Sequence, residues 1–157
     1  MEYLDTSECV SIAWMFNRCR KLKNIDLSNF NTSKVSSMNG MFVCCKSLTT
    51  LDLSSFDISN VVSMNWIFDC CSNLKSINLS SFNTSKVQGM QDMFLSCLCL
   101  TTLNLSNFDT SNCTNMNNMF FTCNSLRTIT VSGTWNTSHA TTENMFQGCA
   151  IDHVSYK

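Results

Sequence analysis

Apolar residues recur along this chain at a fixed interval of 26 positions. Leu22, Leu48, Leu74, Leu100 and Leu126 keep that step, as do Phe16, Phe42, Phe68, Phe94, Phe120 and Phe146. Cys19, Cys45, Cys71, Cys97, Cys123 and Cys149 follow it too, and Phe30, Phe56, Phe82 and Phe108 form a further file. Such a period marks a repeat architecture, in which stacked copies bury a core that no single copy can close. Within one copy the pattern changes. Leu51 and Leu53 alternate with Thr50, Asp52 and Ser54, which predicts a half-buried strand. Phe56 then opens a bend rich in Ser, Asn and Asp. In the preceding copy Met38, Met41, Phe42 and Cys45 fall at i, i+3, i+4 and i+7, which predicts a short helix capped by Ser36 or Ser37. Each copy reads as strand, bend, short helix and return. Copies stacked in register should form one solenoid domain, with the Phe30 file as its aromatic spine.

The frame divides the chain into a partial first coil (1–21), five repeats (22–47, 48–73, 74–99, 100–125, 126–150) and a terminal strand (151–157). The last repeat is irregular: Trp135 takes the spine position one residue late, after Gly133, and the frame returns at Met145 and Phe146. Neither end carries an obvious polar cap, so the chain reads as an excised array or as a unit that stacks end to end.

Net charge is −1, which argues against the basic face that nucleic acid requires and against a polybasic membrane patch. No apolar run approaches the ~18 residues of a membrane-spanning helix. The start, Met1-Glu2-Tyr3-Leu4-Asp5, has neither the basic nor the apolar stretch of a signal peptide. The six period-26 cysteines share the core register and read as buried free thiols acting as small hydrophobes. Cys44 and Cys70 sit one residue earlier in adjacent copies, where a disulfide is conceivable, although eleven cysteines leave at least one unpaired in a monomer. No spacing suits zinc, and no cofactor motif or Gly-rich phosphate loop is present. The two histidines, His139 and His153, stand beside no repeated nucleophile, so the chain reads as a non-enzyme.

The segments LDLSSFDIS (51–59), NLSSFNTSKV (78–87) and NLSNFDTSN (104–112), with the recurring M-x-x-M-F-x-x-C of 38–45 and 116–123, resemble the BspA-like leucine-rich-repeat family, in particular its Mycoplasma lipoprotein-type surface repeat. The resemblance implies an α/β, right-handed leucine-rich-repeat solenoid with one short parallel strand and one short helix per coil. It also implies an extracellular or cell-surface protein that adheres to host or neighbouring-cell proteins or glycans.

In such a solenoid the polar strand residues line one continuous face. Here they include Asn24, Asp26, Thr50, Asp52, Ser76, Asn78, Thr102, Asn104, Thr128 and Thr130. That face offers many hydrogen bonds but few aromatic or arginine anchors, so weak or multivalent contact with a protein or glycan is expected. Ser28, Ser54, Ser80 and Ser106 do not vary, which points to a structural rank. Trp14, Gly40, Trp66, Asp92 and Asn118 share one variable register, and Trp66 is its candidate exposed contact. The competing readings are a self-assembling module and an intracellular protein-interaction scaffold, the latter favoured by the many thiols.

Overall fold

A computed structural model describes residues 4–157. Five short strands follow one another: β1 Thr50–Asp52, β2 Ser76–Asn78, β3 Thr102–Leu105, β4 Thr128–Val131 and β5 Ser155–Tyr156. All pair parallel, β1 with β2 in one sheet and β3, β4 and β5 in order in a second. The register sets Thr50 against Ser76 and Thr102 against Thr128, one repeat apart, while Thr130 meets Ser155, one residue short of a repeat. A separate column of single parallel bridges joins Ser11, Ser37, Ser63, Gly89, Asn115 and Thr141 without interruption.

The described residues contain no helix. The expected α/β leucine-rich solenoid, with a helix in every coil, is therefore corrected: the protein is all-β, with two small parallel sheets. The reason lies in where the amides of residues 38–45 go. A helical N–H donates to the carbonyl four residues back. Here Met41, Val43 and Cys45 donate to Met38, Gly40 and Phe42, three residues back, at 3.3, 3.1 and 3.1 Å. The alternate amides of Met38, Gly40, Phe42 and Cys44 donate to Ser63, Asn65, Ile67 and Asp69 of the following copy at 3.0, 2.9, 2.9 and 2.7 Å. Seven of the eight amides in this stretch are bonded, as a largely buried backbone demands, and four of them leave the copy.

Positive φ at Gly40 (61°) and Cys44 (57°) makes this alternation possible. Each is third in its four-residue turn, the position where a type II turn needs positive φ. The same two positions are left-handed in the other copies: Trp14 and Arg18, Trp66 and Cys70, Asp92 and Ser96, Asn118 and Thr122, Asn144 and Gly148. Met38, Met41, Phe42 and Cys45 are nonetheless fully buried. Two linked turns thus satisfy the apolar spacing that suggests a helix. Ser37 belongs to the bridge column, and the Ser36 amide donates to the Val10 carbonyl at 2.8 Å, so neither caps a helix.

The buried apolar side chains form one contiguous cluster. Its unbroken aromatic file is Phe16, Phe42, Phe68, Phe94, Phe120 and Phe146, with successive ring centroids 5.4, 6.0, 5.3, 5.9 and 5.4 Å apart. The file expected to be the spine stacks only in pairs, Phe30 on Phe56 at 6.1 Å and Phe82 on Phe108 at 6.3 Å. Trp135 is buried in the irregular repeat.

The cysteines are also corrected in part. Cys45, Cys71, Cys97 and Cys123 are buried, but Cys19 is exposed and Cys149 half-buried. Their thiols are donors as well as filler: Cys45, Cys71, Cys97 and Cys123 reach the carbonyls of Phe16, Phe42, Phe68 and Phe94 in the preceding copies at 3.1, 3.1, 3.2 and 2.9 Å. Burial pushes the Cys45 thiol up to about 11 and raises Cys71 and Cys97 as well. All eleven cysteines are free, Cys44 and Cys70 included, so the repeat carries no disulfide ladder.

Candidate functional site

The predicted strand face exists as a surface. Asn24, Asp26, Thr50, Asp52, Ser76, Asn78, Thr102, Asn104 and Thr128 are exposed, and Thr130 is half-buried. Parallel strand alternation brings them to one side while Leu51, Leu103, Leu105, Ile129 and Val131 turn inward. Two ranks on this face behave differently. Asp26, Asp52, Asn78 and Asn104 each accept the amide of the serine two residues on, at 3.0, 2.9, 3.1 and 3.1 Å. These Asx turns account for the Asp/Asn rank, which ends the strand and starts the bend, and the Ser28 and Ser54 hydroxyls add a second bond to Asp26 and Asp52. The same amides hold the Asp26 and Asp52 carboxyls below their ordinary range. The neighbouring rank, Asn24, Thr50, Ser76, Thr102 and Thr128, has its side chains exposed to solvent.

Much of the remaining Asn and Thr content is spent between copies. Thr32, Thr84 and Thr110 are buried and donate to the Asp57, Asp109 and Asn136 carbonyls at 2.9, 2.8 and 2.8 Å. Asn39 and Asn65 accept the Asn65 and Gln91 amides at 2.9 and 2.8 Å. A polar residue in this sequence is therefore not by itself a recognition residue.

Trp66 is half-buried rather than exposed. Its ring stacks on Trp14 across the intervening copy, with centroids 6.0 Å apart. The copy between them carries Gly40, and a Cβ there would lie 2.2 Å from the Trp14 ring. The missing side chain is what lets the two rings meet. The exposed member of the pair is Trp14, at 47%.

Sequence reasoning placed Asp92 in the same register but missed its role. This carboxylate is buried. Its Oδ2 accepts Trp66 Nε1 at 2.7 Å and Gln91 Nε2 at 2.8 Å, and its Oδ1 accepts Asn118 Nδ2 at 2.9 Å. The signal was available: residues 66, 92 and 118 stand one repeat apart and read donor, acceptor, donor. The arrangement fixes the tryptophan and shows no reacting geometry. His139 and His153 are exposed, and His153 Nδ1 lies 2.8 Å from Asp152 Oδ1. Among the described residues no three His, Cys, Asp or Glu side chains come together as a metal site. No described helix is long and apolar enough to cross a membrane.

No curated protein and no solved structure matches the chain. One family model does, twice, over residues 1–97 and 45–154, and its description is a Mycoplasma protein of unknown function, DUF285. The resemblance to BspA-like leucine-rich repeats is corrected accordingly: the family matched is a different one, and the helix of a leucine-rich repeat is absent among the described residues. With the two matches together spanning nearly its whole length, the chain belongs to the DUF285 family of Mycoplasma proteins of unknown function.

Proposed function

We propose that this chain is a non-catalytic binding module that contacts a protein or glycan at a cell surface. The observation that supports the reading is the solvent-exposed rank Asn24, Thr50, Ser76, Thr102 and Thr128. Strand stacking repeats its hydroxyl and amide groups at roughly 4.8 Å. Such a row suits an extended, hydroxyl-rich or peptide ligand through many small contacts, which gives avidity rather than tight single-site binding.

A screen of the whole chain against neutral glycans, acidic glycans and extracellular-matrix proteins tests this. Saturable binding weakened by Thr50→Val together with Thr102→Val, which remove the hydroxyls without adding charge, with an unchanged melt, is the expected result. Absence of binding across the screen at high concentration sinks the reading. The surface location is tested by labelling intact cells with a membrane-impermeant reagent, and labelling that appears only after lysis removes it.

A second reading, end-to-end self-association, is favoured by an open cleft of about 470 Å³ beside β5, lined by Trp135, Met145, Phe146, Val154 and Tyr156 among others. Light scattering over a concentration series decides it: a constant monomer mass is incompatible with that reading.

A further inference from the structure

The charges of this protein are unevenly placed. The return segment that leads from the turns to the strand carries Arg18, Arg20, Lys21 and Lys23 in the first copy, Lys46 in the second and Lys75 in the third. These are six of the ten Lys and Arg residues, in a chain whose net charge is −1. All six are exposed. The corresponding segments of these three copies (17–24, 43–50, 69–76) contain one acidic residue, Asp69, which is half-buried.

The cations also have a shape. Lys23 and Lys75 hold the same register two copies apart, and the copy between them carries Thr49. A short side chain between two long ones leaves a groove of about 430 Å³, lined by Lys23, Asn24, Ser47, Thr49, Asn73 and Lys75. Two strand steps set its cationic rims roughly 10 Å apart at the backbone. Its floor is hydroxyl and amide. Neither lysine takes part in an ion pair among the described residues, whose pairs are Lys34 with Glu8 and His153 with Asp152. Asp26 and Asp52 do not line the groove; they stand two residues further along the chain than Asn24 and Thr50, and an anion is repelled from that direction toward the lysines.

We propose that this groove is the binding site for an acidic polysaccharide, sulfated or carboxylated. The inference rests on the binding-module reading and names its ligand class. Ammonium groups at the rims would take the anionic substituents. The Ser, Thr and Asn floor would take the sugar hydroxyls, and it leads directly into the uncharged rank that begins at Asn24. A floor of this kind offers nothing to an acyl chain, and no aromatic side chain lines it on which a base could stack.

The test is retention of the whole chain on immobilised heparin, with uncharged dextran as the neutral surface, across a salt gradient. Salt-sensitive retention on heparin alone is expected. Lys23→Ser with Lys75→Ser should weaken affinity about 10-fold, as loss of two exposed charge contacts implies, while Lys23→Arg with Lys75→Arg should keep most of it. Lys34→Ser with Lys86→Ser is the control, because it removes the same charge at the same two-copy spacing on a different edge. Equal loss in the two serine pairs would mean general charge attraction and overturn the site. Tighter, equally lysine-dependent binding to anionic vesicles or a single-stranded oligonucleotide would overturn the ligand class. No retention on heparin or a carboxylated polysaccharide would overturn the inference. The broader binding reading would still stand if the same protein bound a neutral glycan or matrix protein in the screen, and it falls only if that screen is also empty.

Discussion

The two long sides of each repeat are built on different terms. On the strand side, pairing covers two to four residues at a time and is split between two sheets. Its outer residues are exposed, and its phenylalanines stack only in pairs. On the turn side, a bridge column, an inter-copy bond at every second amide and a six-membered aromatic file continue along the stack. The side that looks most like regular structure in the sequence is the less regular one. Order is carried by irregular dihedrals repeated faithfully, so the strand side is left freer to vary its exposed residues.

The largest expected effect separates the two aromatic files. Phe94→Ala removes a fully buried ring stacked on both neighbours, whereas Phe82 has one stacked partner. Both should lose stability in the range of about 3–5 kcal/mol, with Phe94→Ala the larger. Chemical denaturation measures this, and an equal or larger loss at Phe82 would remove the asymmetry.

Gly40→Ala comes next. A side chain at φ +61° is strained, and its Cβ would displace the Trp14 ring. The combined cost should be about 2–4 kcal/mol. Adding Trp14→Ala should recover the part due to the ring and leave the backbone part. If the double variant melts no higher than Gly40→Ala alone, the ring contact is not the cause.

A smaller effect distinguishes turn from helix by its sign. Arg18 is exposed and sits at φ 60°. Arg18→Gly should stabilise the protein by up to about 1 kcal/mol, because glycine adopts that φ without strain. In a helix the same change would destabilise by a similar amount. A lower melting temperature would therefore contradict the turn.

The smallest effect is a pH dependence of opposite sense on the two sides. Burial raises Asp69 on the turn side, and its Oδ1 has no hydrogen-bond partner. The folded state is thus penalised while Asp69 is charged, and the penalty fades as pH falls through its raised pKa. Asp52 on the strand side is lowered by the Ser54 amide, so it contributes stability above the ordinary carboxylate range that is lost on acidification. Asp69→Asn should raise the melt at pH 7 and Asp52→Ala should lower it slightly; on acidification the Asp69 difference should fade before pH 3.8, the ordinary value, is reached, and the Asp52 difference only below it. Melts of the two variants moving in the same direction at pH 7 would refute this.

Period, register and core were legible because stacked copies place like residues together, and Leu51, Leu103, Met38 and Phe42 are buried as their spacing implies. The helix was misread because i, i+3, i+4, i+7 describes inward-facing positions in two linked turns as well as in a helix. A corrective signal was present: Gly40, Asp92, Asn118, Asn144 and Gly148 occupy the left-handed positions, and these residue types tolerate positive φ best. Trp14 and Trp66 in the same register obscured it. On the candidate face, exposure of Thr50 and Thr102 followed from alternation. The engagement of Asp26 and Asp52 by serine amides did not, because both an Asx turn and a ligand contact call for the same short polar side chain.

Within the turns the bonds between copies run forward: Trp14, Phe16 and Arg18 donate to Asn39, Met41 and Val43, and Asn118, Phe120 and Thr122 to Glu143, Met145 and Gln147, whereas at the bridge column Ser36, Val62, Gln88 and Thr114 donate backward to Val10, Ser36, Val62 and Gln88. The peptide dipoles of the turn bonds add along the stack, as they do in a helix, and those at the bridge column oppose them in part. Bonding runs with the chain along the turns and against it at the bridge column, so every coil has a chemically distinct front and back.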